Sequence, residues 1–112
     1  STDKGKEEII KDLGGISGKS IPDIINQVMA SEKMKSIFSG KSEKGKNSIK
    51  FDLIKDYDAL AGAPASSLKF VRFWLESACI AVGIDDAPKK MKFYVSKGKT
   101  EDDYGNSVIV RF

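Results

Sequence analysis

The sequence predicts an α+β fold: N-terminal helices and a central apolar helix packed on a small antiparallel sheet with a C-terminal hairpin. Three observations carry that expectation. Between Ser66 and Val82, the residues Leu68, Val71, Leu75, Ala78 and Val82 recur at helical spacing. Ile49, Phe51 and Leu53 alternate with Lys50 and Asp52, the period of a strand with one buried face. The same alternation returns near the C-terminus, where Met91, Phe93 and Val95, then Val108, Val110 and Phe112, read as an antiparallel pair. At 112 residues the chain has the length of one domain, 1–112. Folding at that size buries roughly two-thirds of the unfolded surface, so a core forms without disulfides or metals.

The elements follow in chain order. Asp3 to Leu13 is a short amphipathic helix, with Ile9, Ile10 and Leu13 on one side and Gly14-Gly15 as its stop. Ser20 starts the next helix as N-cap, with Pro22 in the first turn and Asp23 three residues on. Ile21, Ile24, Ile25 and Val28 form its apolar stripe. Met34, Ile37 and Phe38 continue a helical pattern after a break near Ser31, and Gly40 closes it. Ser39 to Ser48 reads as a mobile exposed loop because it is built of serine, glycine, lysine and asparagine around one glutamate. The first strand, near 49–54, leads through a turn-rich connection into the central helix. That helix is apolar over most of its circumference. Only Lys69, Arg72 and Glu76 make a polar strip, and Arg72 and Glu76 can pair at i, i+4. Gly83 ends it and Pro88 discourages resumption. Strands near 90–96 and 107–112 complete a three-stranded sheet, the minimum for independent stability when packed on a helix.

Composition excludes more chemistry than it suggests. The chain has no histidine and one cysteine, Cys79. Without histidine, the commonest general base and metal ligand is missing, and neither Ser-His-Asp nor Cys-His catalysis can be assembled. A zinc site would need one cysteine plus carboxylates, an unfavourable set. Cys79 lies in the apolar helix and reads as a small core hydrophobe. The expectation is therefore a protein that is not an enzyme, with no cofactor, no metal and no identified small-molecule substrate. One cysteine allows no internal disulfide and fits a reducing compartment. Apolar stretches such as Phe73-Trp74-Leu75 are far short of the about 20 residues of a bilayer span. The charged N-terminal residues lack the apolar core of a signal peptide. Together these predict a cytoplasmic or nuclear protein with no membrane partner.

Several motifs have plainer explanations than function. Gly14-Gly15-Ile16-Ser17-Gly18-Lys19-Ser20 looks like a phosphate loop, but the glycine that motif requires five positions before Gly18 is Leu13. A helix, not a strand, precedes it, so the residues read as one helix stop followed by a helix start. The carboxylates at Asp56/Asp58, Asp85/Asp86 and Glu101/Asp102/Asp103 read as solvated loop residues. Asp102 to Asn106 is too compressed for a calcium loop.

Charge distribution carries the functional expectation. The net charge is +3, but it is uneven. Lys89 to Lys99 holds five lysines and no acid; Lys41 to Lys50 holds four lysines and Glu43; the remainder is net acidic. On a strand, Lys92 and Tyr94 share one face, and a basic strand with an exposed aromatic can hold a nucleic-acid backbone and stack a base. The expected nucleic-acid contacts are Lys89, Lys90, Lys92, Tyr94, Lys97 and Lys99, with Lys41, Lys44 and Lys46 assisting. With 17 lysines and two arginines, binding should be of low sequence specificity and salt-sensitive, to RNA or DNA, and single-stranded substrates fit best. The alternative is a protein-interaction or structural assembly subunit. Under either reading a homo-oligomer is expected, with Phe70, Phe73 and Trp74 as its interface, because a helix apolar on nearly all sides needs cover.

Overall fold

The computed structural model describes residues 2–16, 20–43, 45–54, 63–96 and 107–112. It is an α+β fold with the elements α1 (Thr2–Asp12), α2 (Ile21–Met29), α3 (Glu32–Lys35), β1 (Phe38–Glu43), β2 (Ser48–Leu53), α4 (Ala63–Ala81), α5 (Ala87–Lys90), β3 (Lys92–Val95) and β4 (Ser107–Arg111). The four strands form one antiparallel sheet in the order β1-β2-β4-β3.

The helix boundaries follow local chemistry. At the end of α1, the Gly14 N–H donates to the Lys11 carbonyl and the Gly15 N–H to the Ile10 carbonyl. This is the Schellman pattern, and both glycines take the positive φ it favours, 68° and 94°. The end of α4 repeats it. Gly83, at φ 89°, donates to Ile80, and Ile84 donates to Cys79. At the start of α2, the Ser20 hydroxyl accepts from the Asp23 N–H at 3.3 Å. Ser31 caps α3 in the same way, which explains the break in the helical pattern there.

Register divides the sheet into two faces. In β2 the residues alternate without exception, with Ile49, Phe51 and Leu53 buried and Ser48, Lys50 and Asp52 more exposed. Ile49 lies opposite Val110 and Phe51 opposite Val108. Phe93 continues the first of these rows on β3, and Val95 the second. The buried side chains form a cluster that runs from this face through Ile24, Ile25 and Val28 of α2 to Val71, Leu75, Ala78 and Cys79 of α4. α4 packs against α1, α2, α5, β3 and β4. Its wide apolar circumference is thus covered by neighbours from the same chain. Its polar strip stays outward, with Arg72 Nε 2.9 Å from Glu76 Oε1 as spacing predicts. No helix among the described residues is long and apolar enough to cross a membrane.

Four local expectations are corrected. The segment 39–48 is not one exposed loop: residues 38–43 form β1, and the chain turns back through 45–47. The sheet therefore has four strands rather than three. Ile37 and Phe38 do not extend a helix that Gly40 closes. α3 stops at Lys35, and Gly40 sits in β1 beside a register shift between Phe38 and Gly40. The reason is tertiary: β2 has a free edge there, and pairing along it satisfies the backbone of an otherwise polar segment. Finally, the strand expected near 90–96 starts at Lys92, and Lys90 belongs to the single turn α5, which Pro88 opens rather than discourages.

Two stability outcomes follow. Trp74 is 5% exposed and packs against Phe70 with ring centroids 5.5 Å apart. Trp74→Ala should lower the unfolding free energy by about 3–5 kcal/mol in urea titration. The Ser67 hydroxyl is buried without a hydrogen-bond partner among the described residues. Ser67→Ala should leave stability unchanged or raise it by about 1 kcal/mol in the same assay.

Candidate nucleic-acid interface on the open sheet face

The helices cover one face of the sheet. The other is reconstructed strand by strand from the register. One row across it is Ser48, Arg111 and Lys92; the next is Ser42, Lys50, Ile109 and Tyr94; a third contains Asp52 and Ser107. The first two rows contain three cations and no acid. Tyr94 is 45% exposed; among the other described aromatics only Phe73, at 38%, is also exposed.

The acid of the third row is already engaged. Ser107 Oγ donates to Asp52 Oδ1 at 2.7 Å, and Lys50 Nζ lies 3.7 Å from the same oxygen. Arg111 and Lys92, directly opposite each other on β4 and β3, have no carboxylate partner among the described residues. Like charges facing across an antiparallel pair are destabilising. The sheet therefore carries an electrostatic cost at the point where its positive charge is densest.

The turn between β1 and β2 adds a wall. Gly45, Lys46, Asn47 and Ser48 border an open concavity of about 600 Å³ whose remaining lining is Tyr94, Ile109 and Arg111. The turn is held against the end of β4 by a hydrogen bond from the Phe112 N–H to the Asn47 carbonyl, 2.9 Å. Lys46 thereby reaches the same hollow as Tyr94, although the two are 48 positions apart in the chain.

Not all the lysines expected at a binding face lie here. Lys41 is opposite Phe51, on the helix-covered side of the sheet, and its Nζ donates to Asn26 Oδ1 at 2.7 Å. Lys90 is paired with Asp86 at 3.0 Å. Its ammonium hydrogen-bonds the Asp86 carboxyl and holds the pKa of that group below the ordinary value. Lys89 is exposed on α5, just before β3 begins. Lys44, Lys97 and Lys99 lie outside the described residues. Sequence reasoning missed Lys50 and Arg111. Both stand at alternate positions of strands that it placed correctly, so their outward direction was available from period two alone.

The three aromatics considered for an oligomer interface occupy different environments. Trp74 is core, Phe70 is half-buried with Lys33 Nζ 5.9 Å from its ring centroid, and Phe73 is 38% exposed. A Cβ added at Gly5 of α1 would meet the Phe73 ring at 3.2 Å, so α1 covers part of that residue. Of the acidic clusters, Asp56/Asp58 and Glu101/Asp102/Asp103 lie outside the described residues. Among the described residues, no group of three His, Cys, Asp or Glu side chains could hold a metal ion.

No protein-family model, no curated protein and no solved structure matches the chain.

Cys79 is fully buried in α4. Burial, reinforced by the nearby Glu76 carboxylate, pushes its thiol up to about 11 from 9.0. The folded protein should resist alkylation by iodoacetamide at pH 8, and reaction should appear only on unfolding. Between about pH 9 and 11 the unfolded chain releases this proton while the folded chain keeps it. The thiol's contribution to stability is thus complete below about pH 9 and is lost as pH rises through 11. Urea midpoints measured across that range should fall more steeply for the native chain than for Cys79→Ala.

Proposed function

We propose that this chain is a non-catalytic binding protein whose open sheet face takes single-stranded nucleic acid, largely through its backbone. The observation that carries the reading is Arg111 beside Lys92, opposed like charges with no counter-ion among the described residues, next to an exposed tyrosine. A polyanion laid across β4 and β3 would supply the missing negative charge. Tyr94 would stack one base, and stacking is tolerant of base identity. Lys50 and Lys46 would extend the phosphate contacts, with Lys89 at the margin. The free, unpaired cysteine fits work in a reducing compartment, cytoplasmic or nuclear.

A second reading has its own observation. β1 is an edge strand with five of its six residues exposed, and a partner strand could pair along it. An assembly subunit would then use this edge, with Phe73 as an additional apolar contact. It predicts self-association that rises with protein concentration and ignores nucleic acid.

The deciding experiment is fluorescence anisotropy with a labelled mixed-sequence single-stranded oligonucleotide over a salt series. Engagement of the cations Lys46, Lys50, Lys92 and Arg111 should give a log–log salt slope of about −2 to −3. A flat salt response, or no binding at low salt, would overturn the reading. Tyr94→Ala should weaken binding by about 1–3 kcal/mol. Lys92→Glu should act in opposite directions on two properties. It replaces a repulsive pair with an attractive one opposite Arg111, so unfolding free energy should rise by a few tenths of a kcal/mol, while oligonucleotide affinity drops at least tenfold.

A further inference from the structure

The two arginines of this chain are in contrasting situations. Arg72 is committed, with Nε bound to Glu76 and its guanidinium 5.9 Å from the Phe93 ring centroid. Arg111 has no hydrogen-bond or ion-pair partner among the described residues and lines the hollow that also contains Tyr94 and Asn47. Lysine delivers charge to a phosphate without direction. A guanidinium instead presents a planar fork of donors, which selects a ligand edge with two adjacent acceptors.

Tyr94 pairs across the strands with Ile109, and Arg111 is two residues farther along β4. Arg111 and Tyr94 are therefore diagonal neighbours on one face, with backbones roughly 7–8 Å apart. A base stacked on the Tyr94 ring and leaning toward β4 would turn its edge to the Arg111 fork. Ile109 would supply apolar floor between them. The base edges differ in what they offer. Guanine presents the acceptors O6 and N7 side by side, adenine sets N7 or N1 beside its amino donor, and thymine separates O4 from O2 by the N3–H donor. Cytosine has an acceptor pair in O2 and N3, but O2 lies beside the glycosidic bond, where the sugar crowds an approaching fork. Guanine also has the larger ring system for stacking.

We infer that the hollow bordered by Tyr94, Ile109, Arg111 and Asn47 is a guanine-preferring base site within the nucleic-acid face. Arg111 is its specificity-determining residue. This rests on the binding reading above and departs from it in one respect: the face is nonspecific toward the backbone but selective at one base.

The test uses labelled DNA strands of about ten nucleotides in which thymine alternates with guanine, adenine or cytosine, and a thymine-only strand, all at fixed low salt. The guanine strand should bind about five- to tenfold more tightly than the other three. Arg111→Lys keeps the charge and removes the fork. It should reduce the guanine preference, the ratio of guanine-strand to thymine-strand affinity, to less than twofold. Arg72→Lys should leave the preference intact. Equal binding of all four strands, or tighter binding of cytosine, overturns the base site while leaving the backbone reading in place. A guanine preference that survives Arg111→Lys overturns the role of Arg111. Failure of every strand to bind overturns both.

Discussion

The register of β2 against β4 is the constraint on which the remaining structure depends. With Ile49 opposite Val110 and Phe51 opposite Val108, the apolar side chains of these two strands other than Ile109 face the helices. A slip of one residue by either strand would turn Lys50 or Arg111 toward the core and expose Phe51 or Val110, because side chains alternate with period two. Burying either cation is costly, so the core holds the register. The same register assembles the open face. Lys50, Ile109, Tyr94, Arg111 and Lys92 are neighbours there because their chain neighbours are buried. Core and candidate site are thus the two sides of one pairing decision.

α4 supplies the other half of the core. Helix neighbours on one flank and the sheet on another bury it within a single chain of 112 residues. Its aromatic run is consumed unevenly in the process. Trp74 is enclosed, Phe70 stands under Lys33, and Phe73 is partly covered by α1. A helix that looks too apolar to be satisfied alone is satisfied here by three helices and two strands. Among the described residues the exposed large hydrophobics are Phe73 and Tyr94, and Arg111 and Lys92 on the sheet are cations without a carboxylate partner.

That charge is set against stability. Arg111 and Lys92 repel across the strands, while elsewhere the chain pairs its charges locally, as in Arg72–Glu76, Lys90–Asp86 and Lys50–Asp52. Exposed pairs of this kind contribute little individually, so their value here is as a contrast. Where acids are close, these cations use them; on the open face, near the β1–β2 turn, Arg111 and Lys92 have no carboxylate partner among the described residues.

The sequence by itself determined the elements whose signals are local. Capping serines, paired or single glycines past the last helical turn, and period-two alternation in β2, β3 and β4 act through neighbouring residues, and each was legible. The strip Lys69, Arg72 and Glu76 and the shared face of Lys92 and Tyr94 were legible for the same reason. The tertiary structure decided what depends on distant partners. β1 has no period of its own, only Phe38 being buried, and it is a strand because β2 offers it an edge. Lys41 was read as part of a binding loop, but pairing opposite Phe51 turns it toward α2 and Asn26. Lys46 and Arg111 reach Tyr94 only after the turn and two strands come together. Composition can say that cations exist; only the folded register says which face they occupy and which acids stand beside them.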